Sequence, residues 1–505
     1  MNALVLRCPP FPGAKIKPLG IPSDNAPLVL PDLASHCLDL MRENRVGGTF
    51  WGAQGQVSRG QIDPWYLFAR TEHWQCDAND ETALLARIAG LHVTVQGSGR
   101  FADCDSAQGI APTQLVARHI LNGVDYRDPF TGMSCGADVI IRHLSEWRRL
   151  IDANRSFAGV IGIARWKRPT VTPLLWNGSE PVRYARRPDQ LPPEGRIAVW
   201  KSRTSIRSLA ALERSHQSIA EIEDGFIRST GLGADCVPPL SIIVDDEGIY
   251  FDPSGPNTLE ILLRTTTFSP ELLTRAEALR RAILTSGISK YGAGTRALAR
   301  PDGERRHVLV TGQVEDDRSI LAGGGAVRTN LELLKRARDA EGDAYILYKP
   351  HPDVEAGHRI GHIPDDQALG YADAIVRDQP ISALLDMVDA VHVITSLAGF
   401  EGLLRGRDVV THGLPFYAGW GLTTDLAQIP ERRVMRRSLL ELIAATLILY
   451  PRYMDPVTGL PCPPEVLIER MASGTDTHPS VLVEMRRLQG RVKRWLSALA
   501  ARGSS

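Results

Sequence analysis

The sequence is short of everything that staples, anchors or charges a chain. Its seven cysteines (Cys8, Cys37, Cys76, Cys104, Cys135, Cys236 and Cys462) are scattered, odd in number and never spaced CxxC. That argues against a disulfide framework or a zinc site and for a reducing compartment. No run approaches 18 uncharged apolar residues. The best, Leu439–Tyr450, carries Glu441 and has the length of a buried helix, so no transmembrane span is expected. The N-terminal apolar stretch is short and broken by Arg7 and Pro9, unlike a signal peptide. Neither sign of charge is in excess, with 58 Lys+Arg against 58 Asp+Glu. Bulk attraction to nucleic acid and an acidic solvating tail are both disfavoured. HExxH, the kinase set, the Walker loop and GxGxxG are all missing.

What remains is an ordinary globular composition, 43% hydrophobic and 23% charged, over 505 residues. That length suits about three compact units. Between Gly159 and Pro464, short apolar runs alternate with longer helical patterns. Strands are expected at Val160–Ala164, Ile197–Trp200, Ile219–Ile222, His307–Thr311, Tyr345–Tyr348 and Ala390–Ile394. Helices are expected at Thr204–Ser215, Pro270–Thr285, Thr329–Glu341, Ile381–Val388 and Ala398–Arg405. Such alternation implies parallel sheets covered by helices. Leu240–Val244 and Ile249–Phe251, joined through Asp245-Asp246-Glu247-Gly248, read as a hairpin whose acidic residues form the turn rather than a metal pair. The strands cluster at about 159–255 and 305–415, with the charged stretch Leu259–Arg306 as a linker. The expected fold is therefore α/β, two Rossmann-like domains facing a cleft, at 155–290 and 300–475.

Residues 1–150 read as a partial repeat. Tyr126-Arg-Asp-Pro-Phe-Thr-Gly-Met-Ser-Cys135 returns as Tyr453-Met-Asp-Pro-Val-Thr-Gly-Leu-Pro-Cys462. Upstream, the segment Gly90–Gly97 aligns with Gly406–Gly413, each after a Leu-Leu pair. The N-terminal copy lacks the strand-end loops described next, so it is expected to be a non-catalytic remnant. Its Asp103-Cys104-Asp105 has DxD spacing, but it lies away from those loops.

In open α/β sheets ligands gather at strand C-termini. Four loops qualify. Glu223-Asp224-Gly225 places two carboxylates before a glycine turn, which suits either a catalytic acid or a helix cap. Lys349-Pro350-His351-Pro352-Asp353 holds an imidazole between prolines that forbid a helix there. Thr395 and Ser396 open a helix, as an anion site or a simple N-cap. Gln313 and Asp316 follow His307–Thr311 and supply an amide and a carboxylate. Carboxylates on one lobe and His, Lys and Ser on the other suit a phosphate-activated donor, with no metal required.

The same loops, with Gly413-Leu-Pro-Phe-Tyr-Ala-Gly-Trp-Gly-Leu-Thr423, Ser289-Lys290-Tyr291 and Tyr453–Gly459, resemble the capsule polysaccharide biosynthesis/export family typified by KpsC. The resemblance runs from about Gly159 to Ile468. It implies a GT-B-like, retaining β-Kdo glycosyltransferase using CMP-Kdo to build the glycolipid linker of capsule. Asp224 would be the catalytic carboxylate, the nucleophile if retention proceeds by double displacement rather than same-face exchange, and Glu223 its acid/base or orienting partner. His351, Lys349, Thr395 and Ser396 would bind the cytidylate phosphate, with Gln313 and Asp316 as further cleft residues. The implied partners are CMP-Kdo, a lipid-linked Kdo acceptor and capsule assembly proteins, with no cofactor, no metal and no nucleic acid. The implied location is cytoplasmic, at the inner face of the membrane. A transferase for another CMP-activated ulosonic or sialic acid, and a non-catalytic assembly or export factor, stay open. A C-terminal basic helix over 480–505, with apolar residues from Met485 to Leu499 on one face, suits either an anionic bilayer or packing on the remnant.

Overall fold

Short β-branched runs become strands wherever helices cover both faces. In the computed structural model, which describes residues 4–23, 31–55, 61–229, 237–289, 292–293, 298–301, 303–357 and 359–475, the expected strands appear nearly where patterning placed them. The basic C-terminal helix and the motif residues Gly231–Gly233, Lys290 and Tyr291 lie outside the described residues.

The chain forms two compact units. The first comprises Met1–Val160, Arg168–Arg196 and Val457–Pro461; the second comprises Ile161–Lys167, Ile197–Pro456 and the chain from Cys462. Residues 168–196, expected within the first Rossmann-like half, thus belong with the N-terminal unit.

Within the second unit, the C-terminal half carries a parallel six-stranded sheet. Its order is Ala374–Ile375, Tyr345–Lys349, His307–Thr311, Ala390–Val393, Asp408–Thr411, Thr424–Asp425. Val308, Val310, Ile346 and Ile394 pack with Leu333, Leu334 and Ala337 of the helix Asn330–Glu341. Each such side chain, fully buried, is worth roughly 1.5–3 kcal/mol against exposure. This burial makes the apolar runs continuous rather than alternating.

The other half departs from the expected all-parallel sheet. Ile197–Val199 pairs in parallel with Ile219–Glu221, but Ser241–Asp245 runs antiparallel to Ile219–Asp224 and to Arg452–Met454. No hairpin follows Ser241–Asp245. Ile249–Phe251 is not a strand, because Asp245 turns the chain instead. Its Oδ1 accepts from the Glu247, Gly248 and Thr258 amides, and its Oδ2 accepts from the Tyr450 hydroxyl. The acidic run is a turn, as expected, with Asp245 as its buried anchor. The expected linker is also packed structure. Ser269 caps the helix Pro270–Ser286, Pro270 starts it, and left-handed Gly287 ends it. That helix lies against the helices Leu439–Ile443 and Pro464–Ala472.

The repeat extends to the local geometry. In the first unit the helix Pro112–Val116 opens into a π-helical turn, Ala117–Leu121, before the strand Val124–Arg127. In the second, Leu439–Ile443 opens into the π-helical turn Ala444–Leu449 before Arg452–Met454. Tyr126 donates its hydroxyl to Ile120 O, and Tyr453 donates to Leu447 O, both at 2.7 Å. Each motif aspartate pairs with the following helix, Asp128 with His143 and Asp455 with Arg470. Parallel His73–Asp77 and His92–Gln96 stand where the second unit has Ala390–Val393 and Asp408–Thr411.

Candidate active site

Strand termini of both halves of the second unit open on one cleft of about 1130 Å³. All eight expected residues line it: Glu223, Asp224, Gln313, Asp316, Lys349, His351, Thr395 and Ser396. Side chains distant in sequence are collected because parallel strands present their C-termini on the same edge.

Asp224 ends the strand Ile219–Asp224. Its Oδ1 lies 2.9 Å from Lys167 Nζ, and its Oδ2 accepts from Arg228 Nε at 3.0 Å. Burial works to raise its carboxyl, but the two cations outweigh burial and hold it below the ordinary value. Lys167 stands 3.4 Å from the centroid of the Trp200 ring. Burial lowers the Lys167 ammonium despite the pull of Asp224. Arg228 is 1% exposed and also donates to Val237 O at 2.6 Å. Glu223 behaves oppositely: burial first, then the charge of Asp224, pushes it up to about 7, against Lys167 and Arg318. Adjacent carboxylates are thus driven apart, one kept ionised and one poised to exchange a proton near neutrality.

Gly225 is required for a reason other than a special turn angle. A Cβ there would meet Ser241 Oγ at 2.2 Å. The backbone is pressed against the neighbouring strand, where the Gly225 amide donates to Ser241 O at 3.0 Å.

On the facing half, Lys349 ends the strand Tyr345–Lys349 and donates from Nζ to Gln379 O at 2.7 Å and to Arg377 O at 3.2 Å. Burial lowers its ammonium. His351 caps the short helix Pro352–Glu355. Its Nδ1 accepts from the Asp353 amide at 3.1 Å, which assigns the neutral ring's proton to Nε2, a donor. Gln313 proves to be an organiser. Its Oε1 accepts from the amides of Ile394, Thr395 and Ser396, and its Nε2 donates to Thr395 Oγ1 at 3.1 Å. Ser396 Oγ accepts from the Ala398 amide as an N-cap. The amides at this helix start are therefore largely satisfied within the protein, and the hydroxyls of Thr395 and Ser396 are the groups that line the cleft. Asp316 pairs with Arg359 at 3.0 Å.

The remaining motif residues set this loop. Gly399 has no Cβ because one would lie 2.2 Å from the Tyr417 hydroxyl, which donates to Ser396 O. Phe226 and Phe416 line the cleft and pack with ring centroids 4.8 Å apart and planes tilted by 47°. Sequence reading missed Lys167, which sits in no motif, and Arg318, inside a loop read for its carboxylates. It also missed Arg228 as a partner, although its place four residues after Asp224 was the available signal. The DxD of the first unit is structural. Asp105 accepts from the Val95 and Ala107 amides, and Asp103 pairs with Arg118 and His119. Cys104 completes a cluster of close donors with Asp103 and His119, but those pairings already employ the carboxylate.

A family model described as capsule polysaccharide biosynthesis protein matches residues 196–299 and 283–453. The capsule polysaccharide modification protein LipA of Neisseria meningitidis serogroup A is 38% identical over 382 residues, 74% of this chain and 52% of LipA. The lipopolysaccharide-processing protein LpsZ of Rhizobium meliloti is 46% identical over 236 residues, 46% of this chain and 53% of LpsZ. The chain thus spans about half the length of these curated relatives. Among solved structures, the β-Kdo 2,4 transferase of Thermosulfurimonas dismutans KpsC is 32% identical with a TM-score of 0.54, covering 62% of this chain and 98% of that one. The β-Kdo 2,7 transferase of the same KpsC is 29% identical with a TM-score of 0.50, covering 63% and 99%. With a matching α/β, GT-B-like fold and a matching family model that spans the cleft loops, the chain belongs to the capsule polysaccharide biosynthesis protein family.

Proposed function

We propose that this chain is a retaining glycosyltransferase that transfers Kdo from CMP-Kdo to a lipid-linked acceptor during assembly of the capsule glycolipid, working at the cytoplasmic face of the membrane. The observation that carries the reading is one cleft in which Asp224, paired with Lys167 and Arg228, and the adjacent Glu223 share the lining with His351 and Lys349. Asp224, held ionised by Lys167 and Arg228, attacks the anomeric carbon. The bond to the cytidylate phosphate breaks, and CMP leaves with the electron pair. His351 Nε2–H and the Lys349 ammonium face that departing charge, with the Thr395 and Ser396 hydroxyls beside them. The acceptor hydroxyl then gives its proton to Glu223 and displaces Asp224. Two inversions restore the β configuration. The Lys349 ammonium and the neutral donors of His351, Thr395 and Ser396 meet the phosphate, so no metal enters the scheme. The likeness to the two β-Kdo transferase domains of KpsC supports this donor. Purified protein should release CMP from CMP-Kdo faster than from CMP-sialic acid in the presence of a Kdo-terminated acceptor. Release from CMP-sialic acid alone would reassign the donor, and release from neither would leave an assembly role.

A further inference from the structure

Arg318 begins the helix Arg318–Gly323 of the C-terminal half, yet its guanidinium reaches the strand Ile219–Asp224 of the other half. Nη2 lies 2.7 Å from Glu221 Oε1 and Nη1 lies 3.2 Å from Glu223 Oε1. Residues two apart share one face of a strand, so a single planar fork spans both carboxylates. Glu221 is 3% exposed and is met from its other side by Lys201 at 2.7 Å. Burying that carboxylate is tolerable only while its cations are in place. Arg318 also lies over the Phe251 ring, 4.9 Å from its centroid. The charges facing Glu223 are Asp224 and Glu221 on its own strand, Lys167 beside Asp224, and Arg318 from the opposite half.

We propose that Arg318 is a positioning residue that clamps Glu221 and Glu223 across the cleft, so that Glu223 becomes able to accept the acceptor's proton only when the two halves are apposed. The role given to Glu223 rests on the transferase reading, whereas the clamp itself does not. Arg318 is the cation delivered from the donor-side half, and its withdrawal would leave Glu223 facing two carboxylates with Lys167 alone to offset them. Closure of the cleft and competence of the base are thereby linked through one guanidinium.

The test uses the full chain with Arg318→Met, and with Arg318→Gln as a polar, uncharged second variant should the first not fold. The Glu223 carboxyl is titrated by infrared difference against Glu223→Gln, and transfer is followed across pH. The wild-type midpoint near 7 should rise by about one unit in either variant, as expected for loss of a close opposite charge. The acid limb of transfer should move up with it, and Arg318→Lys should restore part of both. A folded variant whose Glu223 midpoint and acid limb stay at the wild-type position overturns the clamp. Should the wild-type protein transfer no sugar, the functional reading fails, and the infrared midpoint alone decides the clamp.

Discussion

The two copies of the repeated segment keep the same joints and different loops. Tyr126 and Tyr453 tie equivalent π-helical turns to equivalent strands, and Asp128 and Asp455 tie those strands to the following helix. At the spacing that sets Gly90 against Gly406, Thr395 and Ser396 fall on Asn79 and Asp80. Asp80 does what Ser396 does for the backbone, accepting from the amide two residues on. It does so with a negative charge, at a helix start where the second unit presents two hydroxyls to its cleft. Among the described residues, the N-terminal copy has no counterpart of the strands that precede Gln313 and His351. Scaffold bonds persist because breaking them leaves buried polar groups unpaired.

That contrast yields graded expectations. The largest effect belongs to Asp224→Asn, which should lower transfer by at least about a thousandfold, as loss of a nucleophile commonly does. Asn is the better substitution, since Ala would strand buried Lys167 and Arg228 without their anion and destabilise the unit. In the other copy, Asp80→Ser should leave transfer within about twofold. CMP release with circular dichroism checks both, and an active Asp224→Asn would remove the distinction between the copies. Next, His351→Ala should weaken CMP binding about tenfold, the scale of one charge-assisted hydrogen bond, measured calorimetrically. Unchanged affinity would make His351 a helix cap alone. Tyr126→Phe and Tyr453→Phe should each cost about 1 kcal/mol in chemical denaturation, because each orphans a buried carbonyl. Unequal losses would show that the shared joint is not equally used. The smallest effect is EDTA, which should leave transfer unaltered; a chelator-sensitive rate would call for a metal.

Much of this was legible because local pattern and tertiary need agree. His307–Thr311 forms at its expected bounds, and the cleft gathers all eight residues found at strand ends. The failures were long-range. Ile249–Phe251 has strand composition, but Asp245 uses its carboxylate on the turn and on Tyr450, more than 200 residues away. Leu259–Arg306 was expected as a linker because, although its helix was legible, the packing of that helix on distant helices was not. Lys167 and Arg318 were invisible because an ion pair leaves no spacing in sequence. Gly225 was visible, but its cause, the close approach of Ser241, was not.

The most direct test of Asp224 as nucleophile is intact-protein mass spectrometry with CMP-Kdo and no acceptor, using Glu223→Gln so that breakdown of the adduct is slowed. The expected result is a mass increase of one Kdo residue that peptide mapping places on Asp224 and that Asp224→Asn abolishes. Release of CMP at the wild-type rate with no adduct on Asp224 would contradict it.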